Sequence, residues 1–224
     1  MKDKEIEHSL LAARKEWTEE PMKEFYGNLV VGYPSRLRVR KILRELGNLR
    51  GKKVLDVGCE AGYVSREIIE NKKPTELYGM DIIQEALDEF REILRKKDYK
   101  TKIILKKGFL QKMPFEKESF DALVCTEVIE HAPRLDLGFK EMARVLKKRG
   151  RLVLTFPNEK LREKTHFFVK LFGINTDVEK EVTLFHHNPK KIIGMLRKHF
   201  IIKKYYRFPF YFPMTHLIVC ERRD

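Results

Sequence analysis

Residues 54–62 read Val-Leu-Asp-Val-Gly-Cys-Glu-Ala-Gly. A short apolar run ends in the carboxylate of Asp56, turns through glycine and enters helix-forming sequence. Gly58 removes a Cβ where a ligand would approach the backbone, and Gly62 permits a tight entry into the helix. A helix start presents N–H groups and the positive end of the peptide dipoles, which suit the carboxylate of an amino-acid ligand. A second apolar run, Leu-Tyr-Gly-Met, closes on Asp81, 25 residues after Asp56. A carboxylate there can accept hydrogen bonds from both hydroxyls of a ribose. The same position would also serve as an N-cap for the helix expected from residue 84.

A third group is Thr126-Glu127-Val128-Ile129-Glu130-His131. A neutral His131 can take a proton from a hydroxyl, or it packs and caps the turn before Pro133. On a helical turn Glu127 would share a face with Glu130 or His131. Two carboxylates and an imidazole can hold a divalent metal that orients a substrate, with His186 or His187 as a further ligand.

The elements that must position these groups follow from periodicity. From Lys53 onward, short strand-like runs at 53–57, 76–81, 101–106, 120–125 and 151–156 alternate with helical patterns at 62–71, 84–97 and 137–147. This rhythm predicts an α/β fold, a doubly wound, mainly parallel sheet, with the loops after its strands gathered on one edge. Before it, residues 3–19 read as an amphipathic helix, 27–34 as a loop and 35–46 as a second helix stopped by Gly47. Beyond Pro157, helices are expected at 159–172 and at 189–199, the latter opened by Asn188-Pro189. Residues 200–206 and 215–222 complete seven strands. The division expected is a helical cap over 1–34 and one domain over 35–224, with a substrate lid over about 157–188. His166, Phe172, Phe185, His186 and His187 fall in that lid.

Over roughly residues 35–200 the sequence resembles the class I S-adenosylmethionine-dependent methyltransferases. The resemblance rests on Asp56-Val-Gly-Cys-Glu-Ala-Gly62, on Asp81 and on Gly108-Phe-Leu-Gln-Lys-Met-Pro-Phe115. It continues through Phe120-Asp-Ala-Leu-Val-Cys-Thr-Glu-Val-Ile-Glu-His131, the helix from Phe139, and Gly150 to Asn158. It implies a Rossmann-like methyltransferase fold and S-adenosylmethionine as cofactor. The cofactor would be bound by Asp56, Gly58, Cys59, Gly62, Asp81, Ile82, Phe109, Leu110 and Thr126, with Glu130 and His131 at the catalytic edge. The Glu127, Glu130 and His131 set is similar to the metal site of some O-methyltransferases. Two positions depart from the family. Glu60 stands where a glycine is usual, and Phe109 stands where an acid usually holds the adenine amino group. A nicotinamide enzyme would need Gly-x-Gly-x-x-Gly, whereas this chain has Gly58-x-x-x-Gly62.

Composition narrows the partners. The chain carries 47 Lys+Arg against 33 Asp+Glu, a net charge of +14. Such a field attracts anions without choosing among them. Charged residues reach 36% while glutamine occurs only at Gln84 and Gln111, a balance like that of thermophile proteins. Cys59, Cys125 and Cys220 form neither a disulfide framework nor a Cys-x-x-Cys site. The charged N-terminus has no signal-peptide core and no apolar run is long enough to span a bilayer, so a cytoplasmic enzyme is expected. A small-molecule acceptor, methylated on oxygen, is the leading reading. The alternatives are an RNA methyltransferase using the basic surface and a non-catalytic, cofactor-binding member of the fold.

Overall fold

The computed structural model describes residues 5, 8, 9, 11, 32–158, 161, 188–209 and 214–224. Most of the expected helices over 3–19 and 159–172, most of the lid, and His166, Phe172, Phe185, His186 and His187 lie outside the described residues.

The described elements run in the order α1 (Gly32–Leu46), β1 (Lys53–Val57), α2 (Tyr63–Lys72), β2 (Glu76–Asp81), α3 (Gln84–Arg95) and β3 (Lys102–Lys107). They continue with β4 (Phe120–Thr126), a 3-10 turn (Ile129–His131), α4 (Leu135–Val145), β5 (Leu146–Pro157), α5 (Pro189–Leu196), β6 (Phe200–Phe208) and β7 (Thr215–Arg222). All seven strands form one sheet in the order β3-β2-β1-β4-β5-β7-β6. Strands β1 to β5 pair in parallel, and β7 runs antiparallel between β5 and β6. The doubly wound α/β fold and the seven strands are therefore as the sequence rhythm predicts.

The parallel strands read as near-continuous apolar runs because helices cover both faces. On one face Val54, Leu77, Val124, Val153 and Leu217 pack against Val39, Ile42 and Leu46 of α1 and Ile68 of α2. On the other, Leu55, Leu123, Leu152, Leu154 and Ile218 pack against Phe139 and Met142 of α4 and Ile192 and Leu196 of α5. Each of these large side chains, fully buried, contributes about 1.5–3 kcal/mol. Leu87 and Phe90 of α3 close over Cys59.

Element ends differ from the sequence expectation where stop signals are missing. Helix α1 begins at Gly32, so the expected loop end and the boundary at 34 and 35 fall inside its first turn. Pro34 is tolerated there because first-turn N–H groups have no intrahelical partner. Strand β5 starts at Leu146 and spans 12 residues. Arg-Val-Leu-Lys carries the helical period across that junction with no Gly or Pro to break it. Helix α5 opens as expected: Pro189 is in its first turn, and the Asn188 side chain accepts from the Lys190 N–H at 2.9 Å.

Gly62 has φ of 80°, and a Cβ there would lie 2.1 Å from the Phe90 ring. Gly62→Ala should combine left-handed backbone cost with overpacking and lower stability by roughly 2–4 kcal/mol in urea unfolding. Exposed Gly194 on α5 has nothing within 4 Å of such a Cβ. There Gly194→Ala should raise stability by about 0.5–1 kcal/mol, because a helical glycine costs entropy.

Candidate cofactor and catalytic site

The first strand delivers Asp56 into the interior, fully buried. Ser65, in the first turns of α2, donates to Asp56 Oδ2 at 2.6 Å. Asp56 Oδ1 is buried with no hydrogen-bond partner. Burial pushes the Asp56 carboxyl up to about 7; Ser65 opposes this and the nearby Asp81 charge adds to it.

The chain then folds over the end of β2. Gly58, at φ 70°, and Cys59 both donate their N–H to the Met80 carbonyl, at 2.7 and 3.1 Å. A Cβ on Gly58 would lie 2.2 Å from Val128 Cγ2, so this glycine also admits the side chain that follows β4. The turn closes with Gly62 N–H donating to the Cys59 carbonyl at 2.8 Å. Glu60 adopts φ 46°, the left-handed conformation that a glycine takes at no cost and that explains the family's preference.

Asp81 holds the two loops together. Its Oδ2 accepts from the Glu60 N–H and its Oδ1 from the Ile83 N–H, both at 2.9 Å. The N-cap of α3 is Ile83, without a side-chain bond. Asp81 thus fixes the helix entry from two residues upstream rather than as the cap itself. Gly108 N–H donates to the Asp81 carbonyl at 2.9 Å, which brings the loop after β3 to the same edge. There Phe109 is half-buried, its carbonyl accepting from Lys112 N–H at 3.0 Å, and Ile82 is half-buried as well. Leu110 is buried against α4, where a Cβ on Gly138 would meet it at 2.9 Å. Cys59 is also buried, and its thiol is pushed well up by desolvation and by the Asp56 and Asp81 charges.

At the end of β4, half-buried Thr126 pairs with Thr155 of β5. Glu127 then takes φ 53°. Its Oε1 accepts from Thr155 Oγ at 2.9 Å and meets Arg38 of α1 at 3.3 Å. Glu130 is buried and His131 half-buried on the 3-10 turn. The shared helical face expected for Glu127 with Glu130 or His131 is not formed. The left-handed residue swings Glu127 toward α1, and the chain then tightens into a 3-10 turn. Among the described residues no group of three His, Cys, Asp or Glu side chains is arranged to hold a metal ion.

The structure therefore brings Asp56, Gly58, Cys59, Gly62, Asp81, Ile82, Phe109, Leu110 and Thr126 to the carboxyl edge of β1 to β4, with Glu130 and His131 beside them. Sequence reading missed Ser65, Arg38 and Thr155, whose roles depend on contacts between distant elements. It also missed His216, which is stacked between Phe156 and Tyr205 and shares a 2.7 Å hydrogen bond with the Tyr205 hydroxyl. Burial, and secondarily Arg207, lowers the His216 pKa to about 4.

A methyltransferase-domain family model matches residues 48–197. The chain belongs to that family. It is a class I methyltransferase in fold and motif order, similar to a malonyl-[acyl-carrier protein] O-methyltransferase of Legionella pneumophila. That similarity is 29% identity over 128 residues, covering 53% of this chain and 44% of the relative. A demethylmenaquinone methyltransferase of Lactobacillus johnsonii is 28% identical over 170 residues, covering 70% of this chain and 68% of that one. Among solved structures, an S-adenosylmethionine-dependent methyltransferase of Mesorhizobium loti shares the fold. Its TM-score is 0.64 at 17% identity, covering 81% of this chain and 96% of that chain. The chain spans less than half the length of the Legionella relative.

The Asp56 carboxyl gives a pH test. Its folded pKa is raised to about 7 from an ordinary 3.8, so the folded state binds the extra proton between those values. Its contribution is complete at low pH and is lost as pH rises toward 7, with a slope of up to about 1.4 kcal/mol per unit. Urea unfolding at several pH values should show Asp56→Asn with a flatter decline than the parent over pH 4–7. Parallel curves would contradict the assignment.

Proposed function

We propose that the chain transfers a methyl group from S-adenosylmethionine to a small-molecule acceptor, with oxygen as the favoured nucleophile. The observation that carries the cofactor part is the grip of the Asp81 carboxylate on the loop from Gly58 to Gly62. An acid, a glycine turn and a helix start converge there at the end of neighbouring parallel strands, the place where open α/β sheets bind nucleosides. The chemistry of the donors fits the cofactor. Asp81 would accept from the ribose hydroxyls, and the buried Asp56 offers an acceptor oxygen on the side of a cationic amino acid. Phe109 and Ile82 supply apolar surface for the adenine. When bound, the cofactor supplies an electrophilic methyl on a sulfonium.

The protein's own work is alignment, exclusion of water and removal of one proton. Val128 closes the edge against Gly58. His131 stands at the end of this segment, where it would take the proton from an acceptor hydroxyl. The names of the relatives support small acceptors carried or dissolved in different ways: malonyl-[acyl-carrier protein] for one and demethylmenaquinone for another.

Calorimetric titration with S-adenosylmethionine tests the first half. Asp81→Ala should weaken binding by roughly 1.5–3 kcal/mol through loss of charged hydrogen bonds. Asp81→Asn keeps an acceptor for one loop N–H and sets its amide NH2 against the other; it should stay folded by circular dichroism and still bind weakly. Unchanged affinity in both variants would reduce Asp81 to a loop clamp. For the second half, methyl transfer from labelled cofactor into fractionated cell extract should yield a small labelled product. His131→Ala should then slow turnover by about 10²–10⁴-fold. Insensitivity to that change would leave positioning as the whole of catalysis.

A further inference from the structure

The turn that carries His131 starts from a backbone conformation that needs outside support. Between β4 and the 3-10 turn the chain passes through Glu127 at φ 53°, the left-handed region that a residue with a side chain enters at a cost. Val128 then caps the 3-10 turn without a side-chain hydrogen bond. The bonds of the turn itself run from His131 N–H to the Val128 carbonyl at 3.0 Å and from Ala132 N–H to the Ile129 carbonyl at 3.1 Å. Both begin after Glu127 and leave its conformation to other contacts. A residue in this region persists only where its surroundings over-determine it.

The surroundings here are one strand and one helix. Glu127 N–H donates to the Thr155 carbonyl of β5 at 3.1 Å, and the buried Thr155 Oγ donates to Glu127 Oε1 at 2.9 Å. The same oxygen meets the Arg38 guanidinium of α1 at 3.3 Å. Arg38 and Glu127 are 18% and 25% exposed, so their attraction is screened less than that of a surface pair. Arg38 is itself well anchored, because Val39 beside it and Ile42 one turn on are buried against the sheet. The consequences lie downstream. A Cβ on Gly58 would be 2.2 Å from Val128 Cγ2, and Ile129 is fully buried. Releasing Glu127 from the left-handed region would shift Val128 against the cofactor loop and carry His131 with it.

We propose that Arg38 is a positioning residue for methyl transfer: through Glu127, and together with Thr155, it holds the left-handed start of the turn that places His131 and Val128. The guanidinium acts on the carboxylate of Glu127 and not on the reacting atoms. The inference rests on the reading that His131 faces the acceptor. Methyl transfer needs the nucleophile in line with the sulfonium, and a misplacement of about 1 Å can cost on the order of 10²-fold in rate. Cofactor affinity should respond far less, because Asp56 and Asp81 stand on β1 and β2 and have their own partners, Ser65 for one and the Glu60 and Ile83 N–H groups for the other. Lysine at position 38 would keep the charge while losing the planar fork, so it should restore part of the effect.

Three readouts on the full chain test it: amide exchange, calorimetry with S-adenosylmethionine, and transfer of labelled methyl into the cell-extract fraction that the parent protein labels. In Arg38→Met the amides of His131 and Ala132 should exchange about tenfold faster while those of β1 and β2 keep their rates. Methyl transfer at saturating cofactor should fall about tenfold or more, with cofactor affinity within about twofold of the parent. Arg38→Lys should recover much of the rate. Glu127→Gly should outperform Glu127→Ala, since glycine takes the left-handed conformation freely. Adding Arg38→Met to Glu127→Ala should cost little more, as expected of two residues acting through one contact. If Arg38→Met does not fold by circular dichroism, Thr155→Val carries the same exchange test from the other side of Glu127. Unchanged exchange at His131 and Ala132 in the folded variants would overturn the proposal. So would a loss of cofactor affinity at unchanged exchange, which would make Arg38 a cofactor contact. A His131→Ala variant that transfers methyl at the parent rate would sink the reading of His131 as base, whereas the exchange result judges Arg38 separately.

Discussion

The arrangement depends on one carboxylate that answers two loops. Asp81 accepts an N–H from Glu60, in the turn after β1, and another from Ile83, at the start of α3. The turn from Gly58 to Gly62 uses left-handed residues, which cost free energy unless something over-determines them. Asp81 supplies that constraint from a buried position where charged hydrogen bonds are strong.

The neighbouring acid is held in the opposite way. Asp56 is deeper, has one hydrogen bond from Ser65, and shares a low-dielectric space with Asp81, so its proton is retained into the neutral range. The two carboxylates lie close together in different surroundings: Asp81 organises the loops, and Asp56 is sensitive to any cation placed beside it. A cation beside Asp56 would favour its ionisation by offsetting the desolvation that burial imposes on the charged form. Packing sets the limits of the site. Val128 against Gly58 and Phe90 against Gly62 leave no room for side chains at either glycine, so the loop is shaped as much by its neighbours as by a ligand.

Much of this was readable in the chain because the decisive signals are local. Apolar strands ending in Asp56 and Asp81 mark the carboxyl edge, and glycines at 58 and 62 mark the turn between them. The doubly wound, mainly parallel sheet follows from the alternation of strand and helix, whereas the place of antiparallel β7 between β5 and β6 does not. What escaped the sequence depends on distance. Nothing near Glu127 announces that Arg38, on the first described helix, will claim its carboxylate, and the helical-face argument for a metal fails on a single left-handed residue. Ser65 and Thr155 read as ordinary small polar residues until the fold places them under Asp56 and Glu127. The end of α4 was misjudged because a helical period ran on into β5.

Amide hydrogen exchange with and without S-adenosylmethionine addresses the central claim directly, since it reads each loop separately. The account predicts that cofactor slows exchange at residues 58–62, 81–83 and 108–110 together, with smaller effects after β4 and none at the amino edge. Protection confined to one of these loops, or appearing elsewhere in the sheet, would contradict a cofactor site organised by Asp81.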